Sequence, residues 1–272
     1  MSRNGRRGDP PPAPDRLPAT ALDSHCHLDV MDVPVERAVA EAAAVGITTI
    51  VQIGTDVASS RWSVARAEEH DAVLAAVAVH PNDAARGGSD DEALAEIDRL
   101  AAHPRVRAVG ETGLDRFRTG PDGFAAQEAS FRAHIEIAKR HGKALVIHDR
   151  DAHADVLRVL TEQGAPERTV FHCFSGDAEM ARTCVALGYV LSFAGTVTFS
   201  NAEGLRAAAR EVPASQLLVE TDAPFLTPMP YRGRPNAPYL VPLTLAVLAE
   251  VTGTPLEQLC HAVRANGERT FG

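Results

Sequence analysis

Six side chains stand out for the chemistry that their types and spacing allow: His25, His27, Glu111, His148, His172 and Asp222. His25 and His27 flank Cys26, and in an extended segment residues i and i+2 point to the same face. Two neutral imidazoles on one face offer two nitrogen lone pairs to a metal ion. The other four each follow an apolar run, at a place where a plain core would carry another Val or Leu. Buried and unpaired, such groups would each cost on the order of a few kcal/mol in desolvation. A metal cluster satisfies them together. Six ligands exceed what one tetrahedral ion takes, so two divalent ions sharing Glu111 is the natural partition. Imidazole softness favours Zn, Mn or Fe, whereas phosphoryl chemistry suits Mg.

The elements that must position these residues follow a regular rhythm. From Ala21 onward, β-branched runs alternate with Ala-rich helical patterns, the mark of βα units with parallel strands. Strands are expected at His25–His27 and over 47–53, 73–79, 106–109, 144–148, 169–172, 189–193 and 216–220. Helices are expected between them, including a long one over 124–141, and two more over 241–251 and 255–265 close the chain. Eight parallel strands with right-handed crossovers can close into a (β/α)8 TIM barrel, an α/β fold whose site lies at the C-terminal strand ends. The six residues stand at those ends. An open doubly wound sheet is the competing architecture, but no G-x-G-x-x-G follows the first strand.

One barrel domain is therefore expected over 21–272. Residues 1–20, with Arg3, Arg6 and Arg7 followed by Pro10, Pro11, Pro12, Pro14 and Pro18, read as a short disordered tail with too little apolar surface to offset ordering entropy. The chain has 272 residues, which suits a barrel of about 250. No apolar run approaches the roughly 20 residues of a membrane span, and the N-terminus has no secretory h-region. Four scattered cysteines without a C-x-x-C pair suggest neither a disulfide framework nor a thiolate zinc cage, and fit a reduced cytoplasm. A net charge of −9 argues against coating nucleic acid by bulk electrostatics, yet leaves room for phosphates in a local, metal-loaded cleft.

Other residues invite plainer readings. His70, His103, His134, His141 and His261 fall on helices or their ends, as surface or packing residues. His153 begins a helix just past His148 and reads as a supporting or structural residue. His80 ends the third strand and is a candidate substrate contact. Cys26 and Cys173 alternate with ligand positions and are expected to face outward as small buried hydrophobes.

Five segments together carry a family resemblance. Asp23-Ser24-His25-Cys26-His27-Leu28-Asp29, Gly110-Glu111-Thr112-Gly113-Leu114-Asp115, Ile147-His148-Asp149-Arg150, His172-Cys173-Phe174-Ser175-Gly176 and Glu220-Thr221-Asp222-Ala223-Pro224 resemble, in order, the TatD family of metal-dependent deoxyribonucleases. The resemblance runs from about Leu22 to the end. It implies a TIM-barrel hydrolase acting on DNA ester bonds and the same six ligands. One position departs: the family usually carries Asn-Glu-Pro where this chain reads Asn236-Ala237-Pro238.

The implied reaction is hydrolysis of a phosphodiester, with Glu111 and Asp222 as catalytic groups and DNA, as single strands or ends, as the substrate. Divalent ions lower the pKa of a bound water from near 16 toward about 7. Asp222 is placed to orient or deprotonate that water. Arg150, Arg232 and Arg234, with Arg116 and Arg118, lie on loops at the same mouth and suit phosphate through their planar forks. Phe117, Phe225 and Tyr231 can stack on unpaired bases. The alternative is an amidohydrolase cleaving a C–N bond of a small cyclic amide or base. Many such barrels bridge their metals with a carboxylated lysine, but Lys139 and Lys143 are not at strand C-termini. A metal-dependent binding or scaffold protein is a third, non-enzymatic reading. No obligate protein partner is evident.

Overall fold

The computed structural model describes residues 8–272. Eight parallel strands follow one another in a single sheet in chain order: β1 (Ala21–Cys26), β2 (Ile47–Ile53), β3 (Val73–Val77), β4 (Val106–Asp115), β5 (Ala144–Arg150), β6 (Thr169–Phe171), β7 (Val190–Phe193) and β8 (Leu217–Val219). Helices stand between consecutive strands, and β1 returns beside β8. That last seam is held by few bonds: Asp222 N donates to the His25 carbonyl at 2.9 Å and His27 N to the Ala223 carbonyl at 2.8 Å. The barrel thus closes at the residues singled out for their chemistry.

Local sequence explains the element ends. Asp56 caps the helix Val57–Glu69 in a reciprocal box with Ser59, and Asp90 and Asp177 accept from Ala93 N and Met180 N at the starts of the helices Asp91–Ala101 and Ala178–Ala186. Gly142 ends the long helix Phe124–His141 in a left-handed conformation. That helix buries Phe131, Ile135 and Ala138 in the core, together with barrel residues such as Val109, Leu145 and Ile147.

Three expectations change. Strand β4 does not stop at Val109 but runs on to Asp115, with a register shift between Val109 and Thr112. The continuation needs Gly113, whose φ is +137° and whose added Cβ would lie 2.2 Å from the His148 carbonyl oxygen. The last helix extends to Phe271 rather than 265. The tail boundary also moves. Residues 8–20 have no regular secondary structure, yet Pro11 and Leu17 are buried and Leu17 N donates to the Val45 carbonyl at 3.0 Å. Arg16 explains part of this order, because its guanidinium satisfies the carbonyls of Ala43 and Ala44 at the C-terminal end of the helix Val35–Ala44. The part of the tail expectation that concerns residues 1–7 lies outside the described residues.

Among the described residues no single helix is long and apolar enough to cross a membrane; one pair, Pro238–Thr252 with Leu256–Phe271, passes that test only when joined across a 110° bend.

Of the histidines read as packing residues, His134 is the buried one. Its Nε2 accepts from Val79 N at 3.0 Å and its Nδ1 bonds the Ser130 carbonyl at 2.7 Å. Burial, only partly opposed by that carbonyl, pulls its pKa down to about 4. The folded ring is therefore neutral, while the unfolded chain takes up a proton below about 6.5. Stability should fall by roughly 3 kcal/mol as pH drops from about 6.5 to about 4 from this residue alone. In metal-free protein, His134→Gln should flatten the denaturant-measured stability profile in that window; parallel profiles for the two proteins would contradict the assignment.

Candidate active site

The strand ends bring the six residues to one mouth, around Glu111. Its Oε1 faces the β1 histidines, 3.8 Å from His25 Nε2 and 3.5 Å from His27 Nε2. Asp222 Oδ1 completes this group at 3.8 and 3.3 Å from the same two nitrogens. The other carboxylate oxygen, Oε2, turns to β5 and β6, 3.2 Å from His148 Nδ1 and 2.9 Å from His172 Nε2. One carboxylate therefore serves two nitrogen pairs on opposite sides. Asp222 reaches the site because its backbone is left-handed, with φ +53°.

Burial makes these charges informative. It favours the neutral acid at Glu111, but His80, His172 and His148 outweigh it and hold the carboxyl well below its usual range. Asp222 is likewise kept ionised against burial by His27, His25 and His172. At His27 burial pulls the pKa down, and Asp222 and Glu111 more than reverse this, pushing it up to about 9. The site thus holds ionised carboxylates facing imidazole nitrogens, a field that favours positive charge. Three groups among the described residues have donors close enough to hold a cation: His25, His27 and Asp222; His25, His172 and Glu220; and His80, Glu111 and His148.

Supporting contacts fix the rings. His148 turns its Nε2 to Asp115 Oδ2 at 3.2 Å, and Asp115 Oδ1 accepts from Phe117 N and Arg118 N at 3.0 and 2.7 Å. Glu220 Oε1 takes His172 Nδ1 at 3.1 Å and Cys173 N at 2.9 Å. Asp23, wholly buried, accepts from Thr221 N at 2.9 Å and from the Thr221 hydroxyl, and burial lifts its pKa to about 7 against those bonds. These three acids lie within the motifs but carry no role in the sequence reading. Asp23 could have been found, since it precedes His25 by two and shares its face. Asp115 and Glu220 depend on the extended β4 and the turn after β6, which spacing does not reveal.

The remaining expected contacts divide. His80 Nε2 comes within 3.8 Å of Glu111 Oε2, and burial pulls its pKa down to about 3. Arg150 is exposed and lies 4.3 Å over the Phe117 ring, itself 62% exposed. Arg232 is exposed and lies 4.3 Å over Phe199. Arg234 does not reach toward the site: its Nε and Nη2 donate to the carbonyls of Asp9 and Pro10. Arg116 is directed away as well, paired with Asp155 at 3.0 Å and packed over Phe124. Cys173 departs from its expected strand position, because β6 ends at Phe171 and Cys173 sits in a left-handed turn with φ +43°. His153 pairs with Asp149 at 2.7 Å, in keeping with a structural role.

Comparison with known proteins agrees with this geometry. A family model described as "TatD related DNase" matches residues 22–272. A metal-dependent hydrolase named TatD from Mycobacterium tuberculosis is 48% identical over 259 residues, covering 92% of this chain and 97% of that protein. The metal-dependent hydrolase YabD of Bacillus subtilis is 37% identical, covering 92% of this chain and 98% of that protein. Among solved structures, the TatD homologue YJJV of Escherichia coli superposes with a TM-score of 0.85 at 29% identity, covering 92% of this chain and 97% of that one. The eight-stranded parallel barrel, the convergent histidines and carboxylates at its mouth, and these likenesses together place the chain in the TatD family of metal-dependent hydrolases.

Proposed function

We propose that this protein hydrolyses phosphodiester bonds of DNA, acting on single strands or ends, and that His25, His27, Glu111, His148, His172 and Asp222 would hold the divalent cations the reaction uses, two of them sharing Glu111 if both are bound. The observation that carries this reading is the division of the Glu111 carboxylate, one oxygen toward His25 and His27 and the other toward His148 and His172. When bound, such ions supply a nucleophilic water at neutral pH and neutralise charge on the phosphoryl oxygens. Asp222, kept ionised beside His27, orients the water and accepts its proton. Arg150 and Arg232 offer guanidinium forks to non-bridging oxygens beyond the mouth. Phe117 presents an exposed face on which an unpaired base can stack, worth about 1–3 kcal/mol per base.

An amide substrate is disfavoured by the bridging position. Lys139 pairs with Glu136 at 2.9 Å, and Lys143 bonds the His103 and Val106 carbonyls, so neither lysine is available to bridge ions. The test is turnover of single-stranded DNA, duplex DNA, RNA and a dihydropyrimidine amide with Mg, Mn and Zn in turn. Cleavage of single-stranded DNA above the others is expected; robust amide hydrolysis without DNA cleavage would overturn the proposal.

The hydrogen bond that Asp115 accepts from His148 Nε2 sets which His148 nitrogen faces Glu111. Asp115→Asn should therefore weaken metal affinity by roughly 10- to 100-fold while leaving the fold intact. Competition with a chelator reads this directly, and an unchanged dissociation constant would remove Asp115 from the account.

A further inference from the structure

The segment before the family domain is built into the loop that follows β8. The family match begins at residue 22, so residues 8–20 lie outside it. Part of their attachment nevertheless falls on the 225–239 loop. The Tyr239 hydroxyl donates to the Pro11 carbonyl at 2.7 Å, while Arg234 Nε and Nη2 donate to the Asp9 and Pro10 carbonyls at 2.7 and 3.1 Å. Farther along, Leu17 is buried and Arg16 caps the helix Val35–Ala44, so the segment is fixed at both ends. Its composition suits this use. Proline has no N–H to donate and a preset φ, so the Pro-rich run loses little entropy on docking and presents carbonyls for outside donors.

The loop it contacts bears on the reacting groups. Asn236 Nδ2 donates to the Thr221 carbonyl at 2.9 Å and to the Phe225 carbonyl, and the Thr227 hydroxyl donates to the Arg234 carbonyl. Thr221 precedes Asp222 and bonds Asp23, two residues from His25. Arg232 is carried on the same loop. Ala237, the departure from the family pattern, adds no side-chain bond there, and between Ala223 and Ala237 the chain forms no regular helix or strand. An irregular loop that must hold a guanidinium in place needs external restraint.

We propose that residues 8–17 act as a strap that holds the 225–239 loop over the end of β8, so that Arg234 and Tyr239 are positioning residues for Arg232 rather than substrate contacts. Two full-length variants test this, Leu17→Asp, which unseats the strap far from the mouth, and Tyr239→Phe, which removes one anchoring bond without changing shape. Backbone hydrogen exchange over 225–239 should accelerate by about tenfold in Leu17→Asp and by less in Tyr239→Phe. The kinetic arm rests on the phosphodiesterase reading: KM for a single-stranded oligonucleotide should rise roughly fivefold to twentyfold, with turnover of bis(p-nitrophenyl) phosphate and bound metal little changed. Unaltered exchange in both variants would overturn the strap. So would faster exchange with an unchanged oligonucleotide KM. Absence of any DNA cleavage by the wild type would instead strike the phosphodiesterase reading and leave the exchange result to judge the strap.

Discussion

Glu111→Gln is expected to abolish both metal binding and turnover. The amide keeps the shape of the carboxylate but removes its charge, and only one of its two heads can still accept from an imidazole or ligate a cation. Because the two oxygens serve His25 and His27 on one side and His148 and His172 on the other, the loss reaches both groups at once. The purified variant should carry well under one ion per chain, with activity down by on the order of 10⁴-fold, near 5.5 kcal/mol of transition-state stabilisation. His25→Ala, by contrast, should weaken mainly the group completed by Asp222. Elemental analysis that finds two tightly held ions in Glu111→Gln would refute the shared-carboxylate arrangement.

The second large effect concerns Arg150. Its guanidinium has no carboxylate partner within salt-bridge distance among the described residues and rests on the Phe117 ring, so it is available to a phosphate. Arg150→Ala should remove a charge-assisted contact worth about 1.5–3 kcal/mol, a roughly 10- to 100-fold loss in kcat/KM on DNA. Arg150→Lys should recover only part of this, since the planar fork is absent. Metal content should stay unchanged, which separates this variant from the ligand variants. The salt dependence of DNA binding should flatten, because one fewer phosphate contact releases fewer counterions. Full DNA cleavage with an unaltered salt slope in Arg150→Ala would place the phosphate contact elsewhere.

The outline of the fold was legible because it rests on short-range patterns. Helices such as Val57–Glu69 and Phe124–His141 follow from the Ala-rich helical runs between strands, to which the structure adds the Asp56 cap and the Gly142 stop. The convergence of the six residues was legible for a related reason: in a parallel barrel a polar residue after an apolar run has one place to go, the C-terminal mouth. What spacing could not show was how second partners are arranged. Arg234 and Arg150 look alike in the sequence, each near a strand-end motif. One is taken by the carbonyls of Asp9 and Pro10 and the other is left facing solvent. Residues 8–20 were misread for the same reason, since their order derives from Leu17, Arg16, Arg234 and Tyr239 bonding across the chain rather than from any local propensity. The extension of β4 past Val109 is not apparent in the sequence because the apolar run stops there, whereas Gly113 admits the close approach of the His148 carbonyl.

The shared-carboxylate account of DNA hydrolysis is tested most directly by adding Mn2+ in steps to metal-free protein while following both bound metal and cleavage of a single-stranded oligonucleotide. The account predicts no cleavage without metal, little with one equivalent, and full activity as the second equivalent binds. Full cleavage at one equivalent, or by the metal-free protein, would contradict it.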